Sequence, residues 1–203
     1  MTRTATVMLV RHGKVANPNH VVYADLPGFD LDPDGVLEAH AVGAYLADHP
    51  VDAVISSPLA RAVQTATSVA RRHRLDVVIE PGLSEWNLSL DWVGQIWDEL
   101  PSVVPGQLEA YLENPADLDY ARESLTDLAS RTVAAIENNL SGSTRNVVVV
   151  AHQDPISVAA LALAGDPLPT LLHDPPPHAS VTTMIRDGTG SWSRRNRWDP
   201  AQG

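Results

Sequence analysis

No cysteine occurs among the 203 residues. That absence excludes a disulfide framework, thiol catalysis and cysteine-ligated zinc or iron–sulfur centres, and it suits a reducing compartment. Lysine is almost as scarce, Lys14 being the only one. No apolar run approaches the ~18 residues that a membrane-spanning helix needs. Internal repeats, low-complexity tracts and interdomain linkers are also missing. The first residues, Met-Thr-Arg-Thr-Ala-Thr, run directly into a strand-like segment without a signal-peptide pattern, so the expectation is a cytoplasmic protein.

Positive charge is absent from one stretch in particular. The chain carries 25 acidic and 14 basic residues, a net charge of −11. Residues 1–75 hold seven of each sign and residues 128–203 hold six of each, whereas residues 76–127 hold twelve acids and one base, Arg122. Nucleic acids and anionic membranes are poor partners for such a chain, because sequence-independent affinity for them comes from cations. The remaining composition, 44% hydrophobic and 19% charged, is that of an ordinary globular protein. The length predicts one domain over 1–203, able to bury roughly 70% of its unfolded surface without staples.

The hydrophobic pattern alternates strand-like and helix-like segments. Ala5–Val10, Val51–Ser56, Asp76–Glu80, Asn146–Ala151 and Ser180–Ile185 read as short buried strands, with Ser191–Trp198 as an antiparallel edge. Helices are predicted from Asp32-Pro33 to about Asp48, with Leu37, Ala41, Ala44 and Tyr45 facing inward, and from Ser57 (as N-cap) to about Arg74. Two more are predicted over 119–140, burying Leu125, Leu128, Val133, Ala134 and Ile136, and over 154–164. This order implies an α/β three-layer sandwich with a mostly parallel central sheet. Residues 81–118 are interrupted by four prolines and hold Trp86, Trp92 and Trp97, read as exposed and available to a lid or a homodimer contact.

Four short segments carry chemistry. Arg11-His12-Gly13 follows the first strand and offers a nucleophile beside an anion-binding arginine, with Gly13 allowing close approach of a ligand. Arg61 lies in the first turn of the second helix, where a cation makes better sense beside an anionic ligand. Glu85 precedes Trp86, whose ring and local burial would raise the carboxyl pKa toward that of a proton donor. His152, followed by Gln153, comes straight after the fourth strand. Each is unremarkable singly, since a strand-end histidine or a surface glutamate usually has a structural role. In an open parallel sheet, however, ligands bind beyond the carboxyl ends of the strands, and that is where His12, Arg61 and His152 fall together.

With these residues in place the chain resembles the histidine phosphatase (phosphoglycerate mutase-like) superfamily. The matching text is Leu9–Gly13, Ser56–Ala66, Leu83–Glu85 and Val149–His152, in order and spacing, across nearly the whole sequence. The resemblance implies a metal-independent phosphomonoester hydrolase without cofactor, acting on a small phosphorylated substrate. His12 would become phosphohistidine, Arg11, Arg61 and His152 would hold phosphoryl oxygens, and Glu85 would be the general acid. A phosphoglycerate-type mutase and a catalytically weak phospho-ligand-binding module of the same fold are the alternatives. The sequence departs from the family at Lys14, where an acid is common, and at Gln153, where glycine is usual. Asn17 or Asn19 stands for the loop asparagine that touches phosphate, and His178 stands where a second pocket asparagine is frequent. Lys14 is counted with Arg11 and Arg61 in a cationic pocket. By the same resemblance, about 81–118 forms a cap over it. The acid-rich segment is then expected to disfavour substrates with several phosphates or carboxylates and to tolerate neutral or cationic leaving groups.

Overall fold

The computed structural model describes residues 4–202; the first three residues of the N-terminal run considered above lie outside them. Six strands form one sheet, in the order β3-β2-β4-β1-β5-β6. They are β1 (Ala5–Arg11), β2 (Ala53–Ser56), β3 (Val77–Ile79), β4 (Asn146–Ala151), β5 (Val181–Arg186) and β6 (Trp192–Trp198). The first four run parallel; along one edge β5 pairs antiparallel with β1, and β6 antiparallel with β5. The α/β sandwich expected from the alternating pattern is therefore the one observed.

Both faces of the sheet are covered, which explains why its central strands read as unbroken apolar runs. Met8, Val10, Val54, Val148 and Val150 point to helices α1 (Pro33–Leu46) and α2 (Ala60–His73). Val7, Leu9, Ile55, Val147 and Val149 point the other way, to α5 (Leu125–Asn139) and α6 (Gln153–Ala164). Val147 through Ala151 are all completely buried. Each such valine contributes at most about 1.5–3 kcal/mol of hydrophobic stabilisation.

Register matters more for function than the strand count. Arg11 pairs with Ala151 and Ser56 with Val150, so β1, β2 and β4 end level. The ladder runs on one step further, with His12 N–H donating to Ala151 O at 2.9 Å and Ser57 N–H to Val150 O at 3.0 Å. His12, Ser57 and His152 thus leave the sheet side by side.

Three local expectations fail for identifiable reasons. Helix α1 buries Ala39, Val42, Gly43 and Leu46 and leaves Leu37 69% exposed. It meets α2 through Gly43, where a Cβ would lie 2.7 Å from Ser68 O, so small residues and not bulky ones mark the contact face. Helix α2 begins at Ala60 with Leu59 as its N-cap and no side-chain cap bond; Ser57 lies two residues earlier, where its Oγ accepts from Leu59 N–H at 3.3 Å and also meets His152 Nε2. Helix α5 starts only at Leu125, where Ser124 Oγ accepts from Asp127 N–H, and it buries Thr132 and Ala135 in place of Val133 and Ala134.

The acid-rich middle of the chain forms no further sheet. It holds a short turn at Pro81–Leu83, an irregular stretch, and helices α3 (Leu100–Val103) and α4 (Gln107–Glu113). Trp86 and Trp92 are 3% and 2% exposed, contrary to their reading as surface groups; Trp97 alone of the three is open, at 38%. They pack with Leu100, Leu108 and Tyr111 onto Leu128 of α5 and Val158 and Leu161 of α6. Burying these aromatics outweighs the breaks that the prolines impose. No helix among the described residues is long and apolar enough to cross a membrane.

Gly43→Ala tests the α1–α2 contact. The added methyl should cost about 1–3 kcal/mol by overpacking, read as a lower midpoint in urea; an unchanged midpoint would contradict this account of the helix face.

Candidate active site

The level strand ends gather His12, His152, Arg11 and Arg61, and the turn preceding β5 adds His178. His12 is 1% exposed. Its Nδ1 lies 2.7 Å from Gly13 O, a geometry that requires Nδ1 to carry the proton and donate it. Nε2 is then an unprotonated lone pair. The His12 ring is 5.1 Å from that of His152 and 5.6 Å from that of His178. His152 is fully buried, and its Nε2 is 2.8 Å from Ser57 Oγ. Burial is the main cause that holds both His12 and His152 well below the ordinary imidazole pKa, reinforced by Arg61 and Arg11 and, for His152, by His12 itself.

Both guanidiniums are held by neutral groups. Arg11 donates from Nη1 to Pro176 O at 2.8 Å and from Nη2 to His178 Nε2 at 3.1 Å. His178 must be neutral to accept, and burial followed by the Arg11 charge pushes its pKa down to about 4. Arg61, 1% exposed, donates to Ala24 O at 2.6 Å and lies over the Tyr23 ring, 4.6 Å from its centre. Neither arginine forms an ion pair with a carboxylate among the described residues, and the Nε of each is buried without a hydrogen-bond partner. Unpaired buried cations are costly, so this pocket is built to receive an anion.

Glu85 lines the same cleft as Arg11. Its pKa is raised to about 8, first by burial and then by the neighbouring Asp154 carboxylate. The Trp86 backbone N–H, which donates to Glu85 Oε1 at 2.8 Å, acts against the rise. The loop bearing Glu85 is fixed by Arg131 of α5. That guanidinium donates to Gly82 O and Ser84 O at 2.8 Å and to Glu85 O at 3.1 Å, while pairing with Glu123.

Other sequence candidates fall outside this cluster. Gly13 is required by protein packing: its Cβ would lie 2.6 Å from Gly35 O, so the close neighbour is the start of α1 and not a ligand. Lys14 is exposed and bonds Asp34 at 2.8 Å, which removes it from the cationic pocket. Both ends of the Asn17 amide close their own loop on Val21, at 2.9 Å each. Asn19 is exposed in the turn of that loop. Gln153 lines a cleft of about 400 Å³ that opens from Arg11 and Glu85 outward. Of the twelve acids in 76–127, Glu85 is the one lining it; most of the acidic excess faces elsewhere.

Four further residues belong to the site. Ser57 anchors His152, although its place before Pro58 reads as a helix cap. Asp154 lines the cleft with Oδ1 buried and unpartnered. Tyr23 reaches the pocket from an irregular loop, and Arg131 from a helix whose pattern marks it as a surface residue; no periodicity identifies either. No group of three or more His, Asp or Glu side chains among the described residues is arranged to hold a metal ion.

Nitrogen-15 NMR of the imidazoles tests the electrostatics. His12 and His152 should stay neutral below the pH at which an ordinary imidazole protonates, with His12 protonated at Nδ1, and His178 should titrate at about 4. A midpoint near the model-peptide value for any of the three would refute this picture.

The model of the histidine phosphatase superfamily (branch 1) matches residues 7–198. An uncharacterized protein of Mycobacterium tuberculosis, Rv0525, is 36% identical over 200 residues, covering 93% of each chain. A glucosyl-3-phosphoglycerate phosphatase of Mycolicibacterium vanbaalenii is 29% identical over 175 residues, 82% of this chain and 77% of its own. Among solved structures, mycobacterial hydrolase 1 superposes with a TM-score of 0.85 at 24% identity, covering 96% of this chain and 98% of its own. A mycobacterial glucosyl-3-phosphoglycerate phosphatase in complex with VO3 gives 0.83 at 25% identity, covering 94% and 97%.

Proposed function

Because the chain belongs to the histidine phosphatase superfamily, we propose that it hydrolyses small phosphomonoesters through a phosphohistidine formed on His12, without a metal ion. The observation that carries this reading is the His12 ring, whose Nδ1–H is committed to Gly13 O so that Nε2 is left as a lone pair in the field of Arg61 and Arg11, which no carboxylate pairs among the described residues. A neutral imidazole held in one tautomer is a nucleophile ready at neutral pH.

In the first step His12 Nε2 attacks phosphorus, the N–P bond forms and the ester P–O bond breaks. Arg11, Arg61 and His152 hold the equatorial oxygens, and the guanidiniums supply the charge that a divalent ion supplies elsewhere. Glu85, protonated at neutral pH by its raised pKa, gives its proton to the departing alkoxide. The Gly13 carbonyl offsets the positive charge that develops on the phosphorylated ring. In the second step water attacks phosphorus, Glu85 takes its proton and the N–P bond breaks, which returns His12 and releases phosphate. The names of the relatives, glucosyl-3-phosphoglycerate phosphatase and phosphoserine phosphatase, support hydrolysis as the outcome. The cleft beside the pocket has Arg11 as its one cation, which argues against a mutase that must hold a second anionic group there.

Turnover of p-nitrophenyl phosphate should persist in a metal chelator. His12→Ala should lower kcat by about 10⁴-fold or more, and a variant that keeps wild-type turnover would remove His12 from the mechanism. Glu85→Gln should cost about 10²–10⁴-fold on alkyl phosphates and less on p-nitrophenyl phosphate, whose leaving group needs little protonation; equal losses would contradict a general acid. Since a general acid must be protonated, kcat should fall as pH rises through about 8. Asp154→Asn, by removing the neighbouring negative charge, should move that limb to lower pH.

A further inference from the structure

The cleft beside the phosphoryl pocket is built unlike the pocket itself. It encloses about 400 Å³, and its walls carry the rings of Tyr23, Trp86, Trp97 and Tyr111. Its charged groups are Arg11, shared with the phosphoryl pocket, and the carboxyls of Glu85 and Asp154. Asp154 stands on the first turn of α6, two residues after His152, so its position relative to the reacting centre is rigid. Its Oδ1 is buried and receives no hydrogen bond among the described residues.

The balance of charge decides what this cleft suits. A bound phosphoryl dianion is matched by Arg11 and Arg61, and Glu85 holds the proton destined for the leaving oxygen. One negative charge, on Asp154, is left without a cation of its own: Gln153 bonds the carboxyl, and Arg11, whose charge also acts on it, is taken up by the dianion. A buried carboxylate gains most from a cationic donor, and aromatic faces attract cations as well. We infer that this cleft seats the alcohol half of the substrate and that this alcohol bears a positively charged amine, held between Asp154 and the aromatic wall. The inference rests on the phosphatase reading above. An alcohol carrying a carboxylate or a second phosphate meets Glu85 and Asp154 with no free cation to offset them. A neutral polyol satisfies the hydrogen bonding of Asp154 but leaves its charge unmatched. Asp154 is thereby a specificity-determining residue, and the net acidity of the chain contributes at this point only through it and Glu85.

Three esters of similar size test this in the full-length protein: 2-(trimethylammonio)ethyl phosphate, its neutral isostere 3,3-dimethylbutyl phosphate, and 2-carboxyethyl phosphate. Their kcat/KM values should fall in that order, with roughly tenfold or more between the cationic and neutral esters. In Asp154→Asn and Asp154→Ser the cationic-to-neutral ratio should collapse toward unity. A cationic ester no better than its neutral isostere overturns the inference, and so does a ratio that survives in a folded variant; if neither variant folds, the wild-type ranking decides alone. A second measurement needs no turnover. Choline, titrated in the presence of inorganic phosphate, should change tryptophan emission more strongly and at lower concentration than 3,3-dimethylbutan-1-ol. Equal responses to the two overturn the cation site. Absence of p-nitrophenyl phosphate hydrolysis would instead defeat the phosphatase reading, while hydrolysis without cation preference would defeat this inference alone.

Discussion

Two guanidiniums lie at the centre of this molecule with no carboxylate bonded to either. Arg61 is almost wholly buried, and the groups that steady it, the Ala24 carbonyl and the Tyr23 ring, carry no net charge. Arg11 is steadied in the same way by the Pro176 carbonyl and a neutral imidazole. A carboxylate in these positions would satisfy the arginines and fill the site. Carbonyls and ring faces orient the charges without cancelling them, so attraction for an incoming dianion is kept. The surrounding structure follows from that constraint. The loop over residues 17–25 folds back to present Ala24 and Tyr23, and the stiff proline run before His178 presents Pro176. Both histidines at the strand ends are kept neutral first by burial and then by the same positive field.

The carboxyl that lines the cleft with Arg11 experiences the reverse environment. Glu85 lies close enough to the arginines to be drawn toward ionisation, yet burial and Asp154 outweigh them and keep its proton on near neutrality. Two adjoining regions with opposite electrostatic tendencies are separated by a few side chains. On the proposed mechanism this separation lets one site hold an anion and supply a proton at the same pH.

Much of this was legible in the sequence because parallel strands mark their own ends. An unbroken apolar run that stops at Arg11-His12, and another that stops at His152, fixed both the sheet and the point where ligands bind. Periodicity failed wherever contact depends on smallness or on isolated long-range bonds. Helix α1 packs through Gly43, which bulky-residue patterns pass over. Ser57 precedes proline as a helix cap does, but besides accepting from Leu59 N–H its hydroxyl meets a histidine 95 positions away. Trp86 and Trp92 lie in a proline-broken segment that reads as surface, yet each anchors its indole N–H inside, on Glu123 O and Gln107 Oε1. Tyr23 and Arg131 act through long-range contacts made from distant elements, for which a one-dimensional pattern holds no signal.

The Arg131–Glu123 pair has a wider consequence. Arg131 binds the carbonyls of residues 82, 84 and 85, and Glu123, its partner, also accepts the Trp86 indole through its backbone. The stretch from 86 to 122 therefore leaves and re-enters the body of the protein at one riveted junction. Loop closure across a fixed junction depends only weakly on the length of the loop. Length changes in the exposed parts of the stretch need not displace Glu85, whereas its buried side chains, Trp86, Trp92, Leu100 and Tyr111, remain tied to α5 and α6. The junction uncouples the backbone position of Glu85 from the length of the segment that walls the cleft beside it.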